Sequence, residues 1–545
     1  MAIEQITYKN INPKTRNMIM LGLILAMLTA CFDGTIVGTC GPVIVQDLQG
    51  SALYSWMITI YLLCETVMIP IAGKLSDLYG RKPLFLVGLT LFTLGSIAAG
   101  LSSSMEMFII CRAVQGLGGG ILIPVATAAV ADLYAPRDRG RMQGLLGAVF
   151  GVGSGIGPLI GGYITDYVSW HWVFFINVPL AIAAFALTLK KFPTPTQEEK
   201  PVIDYIGMVL LSAFLIDILL LFQWGGSDFE WISVETGAMT ALALILLGLF
   251  VMAEKRAKEP ILAPSLIHNK VVVLASIFMF IFGLGMMGAM TYSSMFAVTI
   301  LMDGNTLKAA EYSLAMVAGM AITAMVSGRF LNKTGYRPWL IAGPIITAIS
   351  MFMMSKLTLD STLGYYAICL FLLGLGLGCM MGTVMTAVQN SSTVKEMGMT
   401  TSSVNVIRSI GATIGTAVFA VLISSKITQE LMDNLSPLVF ENVPHSTGVL
   451  DALAMAAARI AQGIGTELDY AIVSEAQQIM LSFANSVDFS FFCGMFIILL
   501  QVIVGIFFTV RPPQTDNTVL TMSGEEYEAM KAELEKEAEQ EKKEE

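Results

Sequence analysis

Charge is what this sequence has least of. Of its 545 residues, 13% are Asp, Glu, Lys or Arg, about half the ~25% usual in a soluble domain. Histidine is scarcer still, three scattered residues, so spacing suggests no His-based metal cluster or catalytic relay. The seven cysteines (Cys31, Cys40, Cys64, Cys111, Cys369, Cys379 and Cys493) all fall inside apolar runs. They imply no disulfide framework and read as small buried apolar residues. No nucleophile–base set stands out, and the G-x-G strings lie within apolar runs rather than in a phosphate-binding loop. These absences count against an enzyme, a metal centre, an ATP-driven machine and a nucleic-acid binder.

What the chain has in abundance is apolar sequence, 55% of its residues. Runs of about 18 residues or more, each long enough to cross ~30 Å of hydrocarbon, recur between residues 17 and 511. Backbone groups in lipid must be satisfied internally, so such runs are helices. Spans are expected at about 17–43, 52–73, 83–101, 107–130, 142–163, 172–190, 204–223, 233–253, 271–299, 308–331, 338–356, 363–388, 400–424 and 488–510. The first run contains Asp33 and is too long for a cleaved signal peptide. The fold class is therefore an all-α polytopic membrane protein with fourteen transmembrane helices.

Basic residues gather in alternate loops: Lys74, Arg81 and Lys82, then Arg137, Arg139 and Arg141, then Lys190, Lys191 and Lys200, then Lys255, Arg256 and Lys258, then Arg329, Lys333 and Arg337. By the positive-inside rule this face, and with it both termini, is cytoplasmic. The net charge of −10 sits mostly in an acidic tail, Glu525–Glu545, which reads as a solvated cytoplasmic extension.

An internal repeat organises the chain. After the second span it reads Gly73-Lys-Leu-Ser-Asp77-Leu-Tyr-Gly80-Arg-Lys-Pro83; after the tenth it reads Gly328-Arg-Phe-Leu-Asn332-Lys-Thr-Gly335-Tyr-Arg-Pro338. Counting helices around these links gives six, two, six. The expected divisions are an N-terminus (1–16), a six-helix bundle (17–190), linkers with two inserted helices (191–270), a second six-helix bundle (271–511) with an extracellular segment at about 425–487, and the tail (512–545). Related bundles of this kind place a substrate site at their interface near the midplane, exposed to alternate sides.

Four further stretches resemble the major facilitator superfamily and, within it, the fourteen-helix drug:proton antiporters. Gly73 to Lys82 looks like the loop motif G-x-L-x-D-x-x-G-R-K, with Leu78 where a second basic residue is usual. Arg112-Ala-Val-Gln-Gly116-Leu-Gly118 is similar to the helix-4 motif R-x-x-Q-G-x-G, and Gly153-Ser-Gly-Ile-Gly157-Pro158-Leu-Ile-Gly161-Gly162 to the helix-5 signature G-x-x-x-G-P-x-x-G-G. Asp33 to Pro42 resembles the helix-1 motif, with Gly38, Cys40 and Gly41 departing from it. The resemblance implies the major facilitator fold, a proton gradient rather than a cofactor as energy source, a monomer, and a bacterial plasma membrane.

Charge inside a membrane costs about 2.5–3.5 kcal/mol per group on insertion scales and is a functional hypothesis by default. Asp33, mid-helix, can load a proton or bind a cation, because burial disfavours the charged form of a carboxyl group; the alternative is a structural hydrogen bond. Arg112 requires a carboxylate or carbonyl partner, and the resemblance gives it a part in proton coupling. Glu65 faces either the central cavity, as a second acid that could hold divalent cations, or a solvated vestibule. Asp217, in the inserted pair, reads as hydrogen-bonded to a neighbouring helix, far from the cavity. Arg408 either snorkels or pairs with the Asp77 loop as a gate element beside Gly73, Asp77, Gly80, Arg81 and Lys82. Gly153, Gly157, Gly161 and Gly162 allow close helix approach, and Pro158 can kink helix 5. Met286, Met287, Met290, Tyr292 and Phe296 offer an adaptable cavity wall, or plain packing.

The reading these residues favour is proton-coupled export of small lipophilic, cationic compounds from the bilayer or cytoplasm by alternating access. Export of a lipid or cell-envelope precursor is the second reading. The third, of another class, is a transporter-like sensor or scaffold.

Overall fold

The structure, a computed structural model, describes residues 12–50, 53–189, 192, 203–225, 229–257, 260–262, 268–302, 305–392, 396–444 and 448–508. The first eleven residues, most of the 190–202 linker and the acidic tail lie outside this set, as do the environments of Gly38, Thr39 and Pro42 in the helix-1 motif. Apart from one isolated bridge, Gly225 to Phe229, the described secondary structure is helical.

Fourteen helices are long and apolar enough to cross a membrane. They are α1 (Pro13–Asp47), α2 (Tyr54–Tyr79), α3 (Arg81–Gly100), α4 (Met105–Leu133), α5 (Pro136–Tyr167), α6 (His171–Leu189), α7 (Tyr205–Trp224), α8 (Val234–Glu254), α9 (Lys270–Phe296), α10 (Thr306–Thr334), α11 (Arg337–Met354), α12 (Leu363–Ser391), α13 (Met397–Asn434) and α14 (Ala476–Ile506). Their starts carry ordinary capping chemistry. Asn12, Ser104, Asn269 and Thr362 each accept a hydrogen bond from a first-turn amide, satisfying donors the helix leaves unpaired.

The repeat has a backbone cause. Gly80 and Gly335 occupy the same place in its two copies and have φ of +89° and +80°, a region that favours glycine. Each lets one helix end and the next begin without an intervening loop.

Helices α1–α6 pack among themselves, as do α9–α14. The two sets meet where α5 lies against α10 and α12, and where α2 and α4 lie against α13. The inserted α7 rests on α2 and α13, and α8 packs on α7. A small apolar cluster containing Val67 and Ile69 of α2, Leu211 and Leu215 of α7, and Val406 of α13 joins them.

Two boundaries differ from expectation. Helix α13 runs ten residues past the expected end at 424, and α14 starts at Ala476 rather than near 488. Both extensions are polar enough to depress hydropathy and still helical. Lys426 and Glu430 pair at 3.0 Å along α13, and the fully buried Ser486 bonds the Ser482 carbonyl in α14. The segment between them is thus shorter than expected. It folds into short helices at Pro437–Phe440, Val449–Ala461 and Glu467–Ser474.

Candidate functional site

Asp33 faces the inside of the first bundle and is fully buried. Its Oδ2 forms an ion pair with Arg112 Nη1. Its Oδ1 accepts from Gln115 Nε2 at 2.7 Å and from Asn177 Nδ2 at 3.4 Å. Arg112 Nη1 also donates to Gln115 Oε1 at 2.8 Å, and Asn177 donates to Ser96 Oγ at 3.1 Å. The guanidinium carbon lies 4.1 Å from the centre of the Tyr61 ring, a favourable cation–π position. Five helices (α1, α2, α3, α4 and α6) thus meet at one carboxylate. Arg112 and Gln115, three residues apart, share a helix face, which is why the R-x-x-Q spacing presents both to Asp33.

A cavity of about 1060 Å³ lies between the bundles. Its lining on α1 is Ala30, Cys31, Gly34 and Thr35, and on α2 includes Leu62, Glu65, Thr66 and Ile69. Helix α13 contributes a stripe at four-residue spacing, from Asn405 and Ser409 through Thr416 to Ser424 and Thr428. Those end residues are separated by about 35 Å of helix rise, so the cavity is deep. Met286, Met287, Met290 and Tyr292 line it as expected, whereas Phe296 is buried in the second bundle away from it.

Asp33 is not part of the cavity wall, although Ala30, Cys31, Gly34 and Thr35 of the same helix are. In this structure both of its carboxylate oxygens are hydrogen-bonded and the residue is fully buried. Glu65 does line the cavity, and Asp217 does not. Asp217 is buried, and its Oδ2 accepts no hydrogen bond. The inserted pair also reaches the cavity, through Phe222, Gln223, Gly225 and Trp231.

The face bearing the basic loops is closed by ties between the two bundles. Asp77 accepts from the amides of Gly398, at 3.1 Å, and Met399, at 2.6 Å, in the first turn of α13. It also pairs with Arg81 at 2.5 Å, and Arg81 reaches Asp132 at 3.0 Å. Lys82, next along, is half-buried. A Cβ on Gly73 would strike Ser402 of α13, and one on Gly328 the Gly140 carbonyl of α5 at 2.5 Å, so the two copies of the repeat press against symmetry-related partners. Asn332 donates to the Arg137 carbonyl at 2.5 Å, where Asp77 accepts. Arg139 reaches Asn390 Oδ1 at 3.2 Å, and Gln389 donates to the Thr127 carbonyl at 2.8 Å. Arg408 takes no part in these ties. It lines the cavity, and the Asp77 acceptors are filled by backbone amides instead.

The helix-5 glycines serve helix contact. A Cβ on Gly153 would come within 2.6 Å of Cys31, and one on Gly157 would collide with Thr35 of α1. Gly161 is buried, and Gly162 faces Leu307 at 3.2 Å. Helix α5 continues unbroken through Pro158.

The family model described as Major Facilitator Superfamily matches residues 23–416. The chain belongs to the major facilitator superfamily. Among curated superfamily members it is 31% identical to the multidrug transporter protein MdtP of Bacillus subtilis (strain 168), over 77% of this chain and 78% of that one. It is 32% identical to an uncharacterized MFS-type transporter of Mycobacterium tuberculosis, over 80% of this chain but 65% of that longer protein. Among solved structures, the human organic anion transporter MFSD10 shares the fold with a TM-score of 0.62 at 14% identity, over 91% of this chain and 100% of that one. The superfamily and these relatives are membrane transporters, not enzymes.

Sequence reasoning missed Gln115 as a ligand of Asp33, and missed Tyr61, Ser96 and Asn177 altogether. The signal for Asn177 was available: it is an amide within an otherwise apolar run.

Proposed function

We propose that this protein is a proton-coupled exporter of lipophilic compounds, with the basic-loop face and both termini in the cytoplasm of a bacterial cell and the protein acting as a monomer. The observation that carries the reading is the separation of two acids. Asp33 sits fully buried in a hydrogen-bonded cluster outside the cavity wall, while Glu65 stands in that wall. Arrangement of this kind keeps the proton site apart from the cargo while both share α1 and α2. Tyr61, stacked on Arg112, is one turn from Glu65 on α2, a short mechanical path between them. The closed basic face and the deep cavity correspond to a state facing away from the cytoplasm. The similarity to MdtP supports drug-like cargo, and the fuel is the proton gradient, with no cofactor.

The test is proton movement in inverted vesicles holding an acid interior, with Asp33→Asn and Arg112→Gln run beside the wild type. Lipophilic amines should dissipate the gradient in the wild type and fail to do so in either variant. If no compound moves protons while folded protein is present, the coupling assignment is wrong.

A further inference from the structure

The cavity wall carries two charged residues among its lining, Glu65 on α2 and Arg408 on α13, one from each bundle. No ion pair within 4.0 Å joins them among the described residues, and Arg408 Nε is buried with no hydrogen-bond partner. Elsewhere the chain supplies its buried arginines with partners. Arg112 has Asp33, Arg81 has Asp77 and Asp132, and Arg139 has Asn390 and the Gln389 carbonyl. Glu65 and Arg408 face one cavity without closing into a contact pair, and a guanidinium with no anion in contact is costly in a membrane protein. A wall intended for cations alone gains nothing from it, because like charge repels.

Resting on the transport reading above, we propose that the cavity takes amphoteric compounds, with an anionic group seated on Arg408 and a basic group at Glu65. A guanidinium fork is matched to a planar carboxylate, which it can hold through two parallel hydrogen bonds. Within about a turn and a half of it along α13 stand Asn405, Ser409 and Thr413, all in the wall, able to accept or donate to the rest of such a group. On α9, which packs against α13, Met286, Met287 and Met290 line the same cavity and supply an adaptable apolar surface for an aromatic frame. Because the two charges belong to different bundles, such a compound would bridge them. The cargo class is therefore narrower than the lipophilic cations expected from the sequence.

The test uses three ligands on one frame: a piperazinyl-quinolone carboxylic acid, its methyl ester and its N-acetyl derivative, which are zwitterion, cation and anion respectively. Binding to the full chain in detergent is read by ligand fluorescence, and proton movement in proteoliposomes is read alongside. The wild type should prefer the acid to both derivatives. Arg408→Gln should cut the acid-to-ester preference by about ten- to a hundredfold, the worth of a charge-assisted bond. Glu65→Gln should cut the acid-to-acetyl preference similarly. Arg408→Lys, which keeps the charge and loses the fork, should fall between. A wild type that binds the ester as well as the acid overturns the inference without any variant, as does an acid-to-ester preference that survives Arg408→Gln. If the ester alone moves with protons, coupling stands and this inference falls. If the acid is preferred through Arg408 but none of the three moves protons, the inference stands and coupling falls.

Discussion

Substituting Asp77 by asparagine should loosen the closed basic face while leaving the fold intact. The carboxylate accepts two amides from the first turn of α13, at 3.1 and 2.6 Å. Hydrogen bonds to charged groups contribute about 1.5–3 kcal/mol each, net of the water they replace. Asparagine keeps one acceptor oxygen and loses the charge that favours a helix N-terminus, so roughly half of the tie is lost, about 2 kcal/mol. Arg81 does not become an orphan, because Asp132 and Ser76 still receive it at 3.0 and 2.5 Å. The ratio of open to closed basic face should therefore rise about 30-fold. Spin labels at Tyr79, at the end of α2, and Lys333, at the end of α10, both exposed, read that ratio as a distance distribution. A longer-distance population should appear or grow in the variant, at an unchanged melting temperature for the bundles. If the two distributions coincide, the amide caps do not hold this face shut.

Gly157→Val should be severely damaging, since its side chain would enter Thr35 and the Phe32 carbonyl of α1; overpacking of this kind costs about 1–3 kcal/mol, readable as a lower melting temperature. Gly162→Ala meets only the flexible end of Leu307 and should melt with the wild type. Asn177→Ala removes donors to Asp33 and Ser96, so it should destabilise the protein by about 1–2 kcal/mol and displace the pH profile of proton-coupled transport; an unmoved profile assigns Asn177 to packing alone. Outside the membrane, the Thr466 amide and hydroxyl, followed by Arg459, hold the Asp469 carboxyl below its usual range. Its contribution is complete above the unfolded value of about 3.9 and is lost as the pH falls through the lower folded value. Protection factors in 466–474 should fall with acid in the wild type and stay flat in Asp469→Asn.

The helix count was legible because length and hydropathy decide it, and the gate motif because glycines at positive φ have few substitutes. What the sequence did not reveal was direction. Asp33 and Gly34 are adjacent in the chain but about 100° apart around the helix, and that rotation puts one in the sealed cluster and the other in the cavity wall. A carboxylate in an apolar run announces itself; which side of the helix it serves depends on Gln115 and Asn177, 82 and 144 residues away. Arg408 posed the same difficulty: its charge left open the interface or a partner in Asp77, whereas its place in the cavity wall depends on how α13 packs. The start of α14 was hidden because its serines bond inward and spend no hydropathy on lipid contact.

The placement of α7 bears on how membrane-dissolved molecules reach the cavity. Two vertical seams run between the bundles, one along α2 and α13 and one along α5 and α10. Leu211 and Leu215 of α7 cover the first, against Val67, Ile69 and Val406, and Phe222 and Trp231 close its end over the cavity. Both lateral routes are then closed in this state, by different means: the α2–α13 side is shuttered by the inserted pair, and the α5–α10 side is zipped where Gly144, Gly151 and Gly155 press on Ala324, Met320 and Val317, so a compound reaches the cavity from one of its ends.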